Sequence, residues 1–395
     1  MTRQATMFAR SDRIGGLDLA RGLAVIGMFA AHVLILGDFD WSEPITWGGV
    51  VDGRSAATFA LLAGVSIAII SGGSTPARDF ALTQARVRIV VRAGLIFVLG
   101  GVLTALDTNV YIILEYYAVM FMLALPVLRW RSRTLFAFAG ILAVVAPVVQ
   151  LVLGRILLGA GLYETPPITL LVTGAYPAIV WFVFVVVGIG IGRLDLRRRD
   201  IPLRVLMSGV VLAVVGYGAG SLAATVSGEL PRDISAEDTL FDLTPLLTAL
   251  PHTGTPFELV GATGFALALL AVCLLILRPG APRLVRVVLF PLVATGSMAL
   301  SAYTAQIVAL AVIDDGYWIE GANNAGLYLT LTLSIMLGCT LWSLIVGRGP
   351  LERLLTSTSR RASGMVAQPR IAADTQGTAT DAVPEALPDR TATPE

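Results

Sequence analysis

Ten runs of predominantly apolar residues recur along the chain, at 17–36, 55–71, 87–106, 110–128, 134–158, 174–192, 203–226, 257–277, 287–313 and 325–346. A helix rises about 1.5 Å per residue, so runs of this length match a hydrocarbon core of about 30 Å. The pattern predicts an all-α integral membrane protein, a bundle of about ten transmembrane helices. Between the runs the charge alternates. Arg3, Arg10 and Arg13, then Arg78 and Arg86, Arg129, Arg131 and Arg133, Arg197, Arg198 and Arg199, Arg278, Arg283 and Arg286, and Arg348, Arg353, Arg360 and Arg361 occupy every second connection. The others are acidic or mixed, with Asp38, Asp40, Glu43 and Asp52, then Asp107, Glu164, then Asp233, Glu237 and Asp238, and finally Asp314, Asp315 and Glu320. Basic residues mark the cytoplasmic side, so both termini are expected there. The division that follows is a cytoplasmic segment at 1–16, a membrane domain at 17–350 and a disordered cytoplasmic tail at 351–395, rich in Ser, Thr, Ala, Pro and charge.

Composition sharpens this picture only at a few points. With 56% hydrophobic and 14% charged residues over 395 positions, a soluble domain is excluded. Every basic residue is arginine and the net charge is +1, with no single basic patch, so no nucleic-acid partner is expected. Cys273 and Cys339 lie inside apolar runs and give no disulfide framework. The two histidines, His32 and His252, stand in unrelated segments, so no metal site is expected. No short apolar leader with a cleavage site precedes the first run, which is expected to act as the insertion signal. Gly188, Gly190 and Gly192 end a membrane run without a preceding strand and read as packing glycines rather than a nucleotide loop.

The candidate chemistry begins in the first run. At about 100° per residue, Arg21 and His32 fall nearly on one line of a helix, with Asp18 beside them, and His32 stands roughly 16 Å above Arg21. An ionisable side chain at that depth is a functional hypothesis, here a general base for a hydroxyl or amine. Asp18 and Arg21 read equally as a structural ion pair or a ligand-binding pair. Asp52-Gly-Arg54 opens the second run close to the top of the first helix. His252 lies in Leu250-Pro-His-Thr-Gly-Thr255, within the longest outer connection, about 227–256. Arg88 and Arg92, one turn apart at the start of the third run, could hold phosphates. Glu115 is a carboxylate inside the fourth run, and Ser297, Ser301 and Thr304 put hydroxyls on one side of the ninth.

At these residues the sequence resembles a known group. Leu17-Asp-Leu-Ala-Arg-Gly-Leu-Ala-Val-Ile-Gly-Met28, Asp52-Gly-Arg-Ser55, Pro251-His-Thr-Gly-Thr255 and Gly296-Ser-Met-Ala-Leu-Ser-Ala-Tyr303 resemble the YeiB-like bacterial membrane proteins. That family is similar in its first helices to heparan-alpha-glucosaminide N-acetyltransferase, and more distantly to membrane O-acyltransferases whose first helix carries Arg, ten residues, His, as Arg21 and His32 do. The lysosomal acetyltransferase has its key histidine in the first outer loop shortly before a Trp, whereas Glu43, Pro44, Ile45 and Thr46 precede Trp47 here, and His32 would have to replace that histidine. Ser297 stands where the YeiB-like pattern usually has a basic residue. The resemblance implies an acyltransferase of the bacterial plasma membrane, taking an acetyl group from cytoplasmic acetyl-CoA to a hydroxyl or amine of an outer glycan or lipid, without a metal. His32, Asp52 and His252 would be catalytic, and Asp18, Arg21, Arg54, Arg88, Arg92, Glu115 and Ser301 would bind substrate or CoA. A transporter or lipid-binding protein with Asp18, Arg21 and His32 along a solute or proton path is the alternative reading.

Overall fold

A computed structural model describes residues 14–37, 42–228, 240–313 and 324–366. Among them the chain is helical, with no strand: α1 Gly15–Val33, α2 Arg54–Ile70, α3 Asp79–Thr104, α4 Leu114–Leu123, α5 Ser132–Gly159, α6 Ala178–Gly192, α7 Asp200–Ser227, α8 Pro256–Ile276, α9 Arg283–Val288, α10 Phe290–Ser297, α11 Ala299–Ile313, α12 Ala325–Ile345 and α13 Pro350–Gly364. Of the charged loop residues, Arg3, Arg10, Arg13, Asp38, Asp40, Asp233, Glu237, Asp238, Asp314, Asp315 and Glu320 lie outside the described residues.

Among the described residues, seven helical stretches are long and apolar enough to cross a membrane, and up to nine if each of two bent pairs is one span. The expectation of ten is corrected at the fourth run. There α4 has ten residues, about 15 Å of helix, and gives way to a tighter turn at Leu125–Arg129 where Pro126 has no amide to donate. The ninth run is broken too. The axis turns by 85° between α10 and α11 at Met298, so Ser297, Ser301 and Thr304 do not share one helix face. A second bend, of 56°, separates Pro166–Thr173 from α6.

The core is built around α6, whose residues are buried except Ile179. α2 packs on one side of it and α5 on another. The α2–α6 backbones meet at Gly64 and Gly188, where an added Cβ would overlap the Val185 or Leu61 carbonyl. This is the small-residue packing by which helices associate in lipid. α1 and α10 meet in the same way at Gly22 and Gly296, beside the Asp18 carbonyl.

Arg193, just past the end of α6, ties three connections together. Its Nη1 donates to the carbonyls of Ala68, Ser71 and Gly73, and its Nη2 to Ser71 Oγ and the Leu128 carbonyl. The ends of α2, α4 and α6 therefore lie together, at what is called here the arginine-rich end. The tail reading is corrected at this end. Residues 350–364 form α13, an amphipathic helix packed along the first half of α3. Gly349 and Pro350 start it, and the hydroxyls of Thr356, Ser359 and Ser363 face arginines of α3. The low hydrophobicity that suggested disorder reflects a helix held by polar contacts on one side. Residues 367–395 lie outside the described residues.

Candidate active site

At the end opposite Arg193, the loop before α8 is folded around one carboxylate. Thr255 is the N-cap of α8, and its Oγ1 accepts from Glu258 N at 3.1 Å while donating to the Thr248 carbonyl. Pro256 at the first helical position costs no hydrogen bond. Glu258 turns back and accepts from His252 N at 2.7 Å, Gly254 N at 2.6 Å and Thr253 Oγ1 at 3.3 Å. This extends the familiar capping box of Thr, two residues, Glu. His252 itself has φ of 62°, left-handed and uncommon for a residue with a side chain. The Glu258 bridge holds it there.

The result points the imidazole at α2. His252 Nε2 lies 3.2 Å from Asp52 Oδ1. Gly53, the N-cap of α2 with φ of 64°, leaves room for Pro251, which a Cβ would approach at 3.2 Å. Trp181 lies nearly parallel to the imidazole at 6.3 Å, and Tyr176 meets it edge-on at 5.7 Å. With Nε2–H given to a carboxylate, Nδ1 keeps its lone pair. Burial disfavours the imidazolium, but the Asp52 hydrogen bond and the Glu258 and Asp52 charges outweigh it and hold the His252 pKa above its ordinary value of 6.5. Arg54 does not join this pair. Its Nε donates to Tyr217 Oη at 2.8 Å and its Nη1 to the Gly49 carbonyl at 3.0 Å, with the guanidinium 4.7 Å from the Tyr217 ring centroid.

His32 sits in the last turn of α1, against α11. Its Nδ1 is 3.0 Å from Gln306 Oε1, an acceptor, so Nδ1 carries the proton and Nε2 is the basic nitrogen. Tyr303 meets the ring edge-on at 6.0 Å. Tyr303, Tyr176 and Tyr117 are all buried, Tyr303 beside His32 and Tyr176 beside His252.

Tyr117 also lines a cavity of about 300 Å³ whose other walls include Arg21, Phe59, Ser66, Arg92, Ser297, Glu352 and Thr356. Here the arginine-rich end opens into the bundle. Arg21 Nη1 pairs with Asp18 Oδ1 at 2.8 Å, and Nη2 donates to Ser66 Oγ at 3.0 Å. Arg92 donates to Ser359 and Thr356 of α13, both at 3.3 Å, and Arg88 Nε to Ser363 Oγ at 2.9 Å, so Arg88 and Arg92 anchor α13. Ser301 is likewise engaged. With the amides of Leu300 and Ser301 it binds the Glu352 carboxylate at 2.6–3.1 Å. Glu115 stands apart from both clusters, 3.4 Å from Thr104 Oγ1 and packed on Gly100.

The sequence places Asp52 and His252 on the same side, and the structure pairs them, while Arg54 turns to Tyr217 and Gly49. Sequence reasoning missed Glu258, Gln306, Tyr176, Tyr217 and the α13 contacts. A signal existed for two of them. Glu258 and Gln306 are single strongly polar residues inside otherwise apolar runs, where such groups are seldom left without a role. Among the described residues no cluster of His, Cys, Asp and Glu is arranged to hold a metal ion.

A helical membrane bundle with an Asp–His pair at one end and an arginine-lined cavity at the other defines the class to which the comparisons point. Residues 13–224, more than half of the chain, match the family described as heparan-alpha-glucosaminide N-acetyltransferase, catalytic, and the chain belongs to that family. Residues 237–361 match a family described only as protein of unknown function, DUF418, in agreement with the YeiB-like resemblance. No curated protein matches.

Proposed function

We propose that this protein transfers an acetyl group across the membrane, from acetyl-CoA bound at the arginine-rich end to an amine or hydroxyl bound at the His252 end. The observation that carries the reading is the His252–Asp52 pair, whose geometry leaves Nδ1 free to act as a base. In the proposed step the acceptor's nitrogen or oxygen attacks the thioester carbonyl while Nδ1 takes its proton. The C–S bond breaks, the thiolate leaves, and the imidazolium returns the proton to the sulfur. Asp52 orients the ring and stabilises its charged form, as a carboxylate behind a catalytic histidine does.

In this reading the donor's phosphates meet Arg92, with Arg21 deeper, and its arm runs past Tyr117 towards the histidines. The arginines gathered there support reading that end as cytoplasmic. The acceptor is then extracytoplasmic, and the family's name makes an amino sugar the first to test.

The experiment is transfer by full-length protein in sealed proteoliposomes, with labelled acetyl-CoA on one side and glucosamine on the other. Labelled N-acetylglucosamine should accumulate on the acceptor side, and His252→Ala should lower its formation roughly 10²- to 10⁴-fold. Transfer that is unchanged in both His252→Ala and Asp52→Asn would sink the proposed base.

A further inference from the structure

A second cavity, of about 430 Å³, shares no residue with the one at Arg21 and Arg92. It lies between α5 and α7, with α6 and α8 as its floor, and its walls are apolar apart from Arg204, Ser208 and Thr263. The size is that of a small-molecule site, and the lining suits an alkyl chain. Its depth is more than a surface furrow, because Val183, Val187 and Leu259 on its floor belong to the buried core.

The polar groups are ordered along α7. Arg204 is in the second turn, Ser208 one turn deeper and Leu212 one turn beyond that, on a single face, each step being about 6 Å. Arg204 is exposed. Its Nη2 pairs with Asp200 at 3.2 Å, and Asp200 is shared with Arg198. Arg204 and its neighbour Arg198 thus share the single carboxylate of Asp200, so the charge gathered at the mouth is net positive. A cation at the mouth, a hydroxyl one turn in and hydrocarbon below match the order of phosphate, ester carbonyl and acyl chain in a glycerophospholipid.

We infer that this cavity is a binding site for an anionic glycerophospholipid, seating one acyl chain between α5 and α7 with its phosphate at Arg204. Long-chain fatty acids share the alkyl chain and the negative head, and the test separates the two. Gly140 supplies a clean variant, since it lines the cavity and a Cβ there meets no atom within 4 Å. Gly140→Leu fills the space without moving backbone.

Full-length protein in nanodiscs would be photolabelled with phosphatidylglycerol carrying a diazirine in one chain, and the labelled peptides mapped. Labelling should concentrate on the cavity faces of α5 and α7, fall at least five-fold in Gly140→Leu, and be displaced by unlabelled phosphatidylglycerol rather than phosphatidylcholine. Arg204→Gln should remove that headgroup preference while leaving labelling of the cavity. Labelling spread evenly over the outward faces of α3, α5, α7 and α12, and unaffected by Gly140→Leu, would overturn the site. Displacement by palmitate at lower concentration than by phosphatidylglycerol would overturn the phospholipid assignment in favour of a fatty acid.

Discussion

His252 Nε2 lies 3.2 Å from Asp52 Oδ1 although the two residues are 200 positions apart in the chain. The pairing makes a pH prediction whose sign is fixed. A base must be unprotonated, so kcat/KM should rise with pH through a midpoint above 6.5, because the paired imidazole holds its proton more tightly than a free one. Asp52→Asn removes one of the two charges that favour the imidazolium while burial still opposes it. Its midpoint should move to lower pH as the maximal rate falls. A midpoint that stays in place in Asp52→Asn would mean that another group titrates.

The stability contribution of the same pair has the opposite pH dependence. A folded-state pKa raised above the unfolded value stabilises fully below the unfolded value near 6.5 and loses that contribution as pH rises through the folded one. The pair is about one-third exposed, so the effect is screened and small. Thermal melts of His252→Gln and the parent should differ more at pH 5.5 than at pH 8.5.

Histidine 32 gives a prediction that separates it from His252. Gln306 is fully buried and fixes the His32 ring by one hydrogen bond, with no carboxylate behind it among the described residues. If it positions substrate rather than taking the acceptor's proton, His32→Asn should lower transfer less than about ten-fold and leave the pH midpoint unmoved. A fall in the range of roughly 10²- to 10⁴-fold, equal in His32→Ala and His32→Asn, would make His32 the base instead.

Arg92 and Arg88 are neighbours one turn apart, yet only Arg92 lines the cavity. Arg92→Gln should raise the KM for acetyl-CoA several-fold, more at low salt than at high, with kcat little changed. Arg88→Gln loses only the Ser363 contact and should have the smaller effect on KM. Equal effects would assign both residues to anchoring α13.

How far the sequence revealed this arrangement depends on which contacts are local. The apolar runs and their alternating arginines display the helical membrane bundle directly, because lipid demands both. The Asp18–Arg21 pair is equally visible, three residues apart on one helix. The breaks were hidden. Nothing in the hydropathy of residues 287–313 marks the 85° turn at Met298, since both halves are apolar. The site was half legible. His252 and Asp52 stood out as residue types, but their pairing depends on the left-handed backbone at His252, which Glu258 enforces through tertiary folding of the loop. Arg193 stands out in no local pattern, because its role as a tie between three helix ends rests on contacts with distant parts of the chain.

That tie predicts a stability effect remote from the chemistry. Arg193→Met removes five donated hydrogen bonds; the Ala68 and Ser71 carbonyls keep backbone amides as donors, whereas those of Gly73 and Leu128 lose this donor. A buried polar group left unsatisfied costs about 1–3 kcal/mol, so the loss at Leu128 and Gly73 should lower the melting temperature of the detergent-solubilised protein by several degrees. Arg193→Lys keeps the charge but has no planar fork to span the Ser71 and Leu128 carbonyls at once, and should recover only part of the loss. A melting temperature unchanged in Arg193→Met would show that helix packing alone holds this end.

Orientation is the prediction on which the direction of transfer depends. The native cysteines, Cys273 and Cys339, are free and buried, so added cysteines can be read over a low background. Gly159, at the end of α5 opposite Arg193, has open space where a Cβ would stand, and Ser132 begins the same helix at the arginine-rich end. On intact cells an impermeant thiol reagent should label Gly159→Cys and leave Ser132→Cys unlabelled until the membrane is opened, as expected if arginines mark the cytoplasmic face. Labelling of Ser132→Cys on sealed cells, with Gly159→Cys protected, would invert the bundle, put the acetyl-CoA cavity outside and remove the cytoplasmic donor from the proposed reaction.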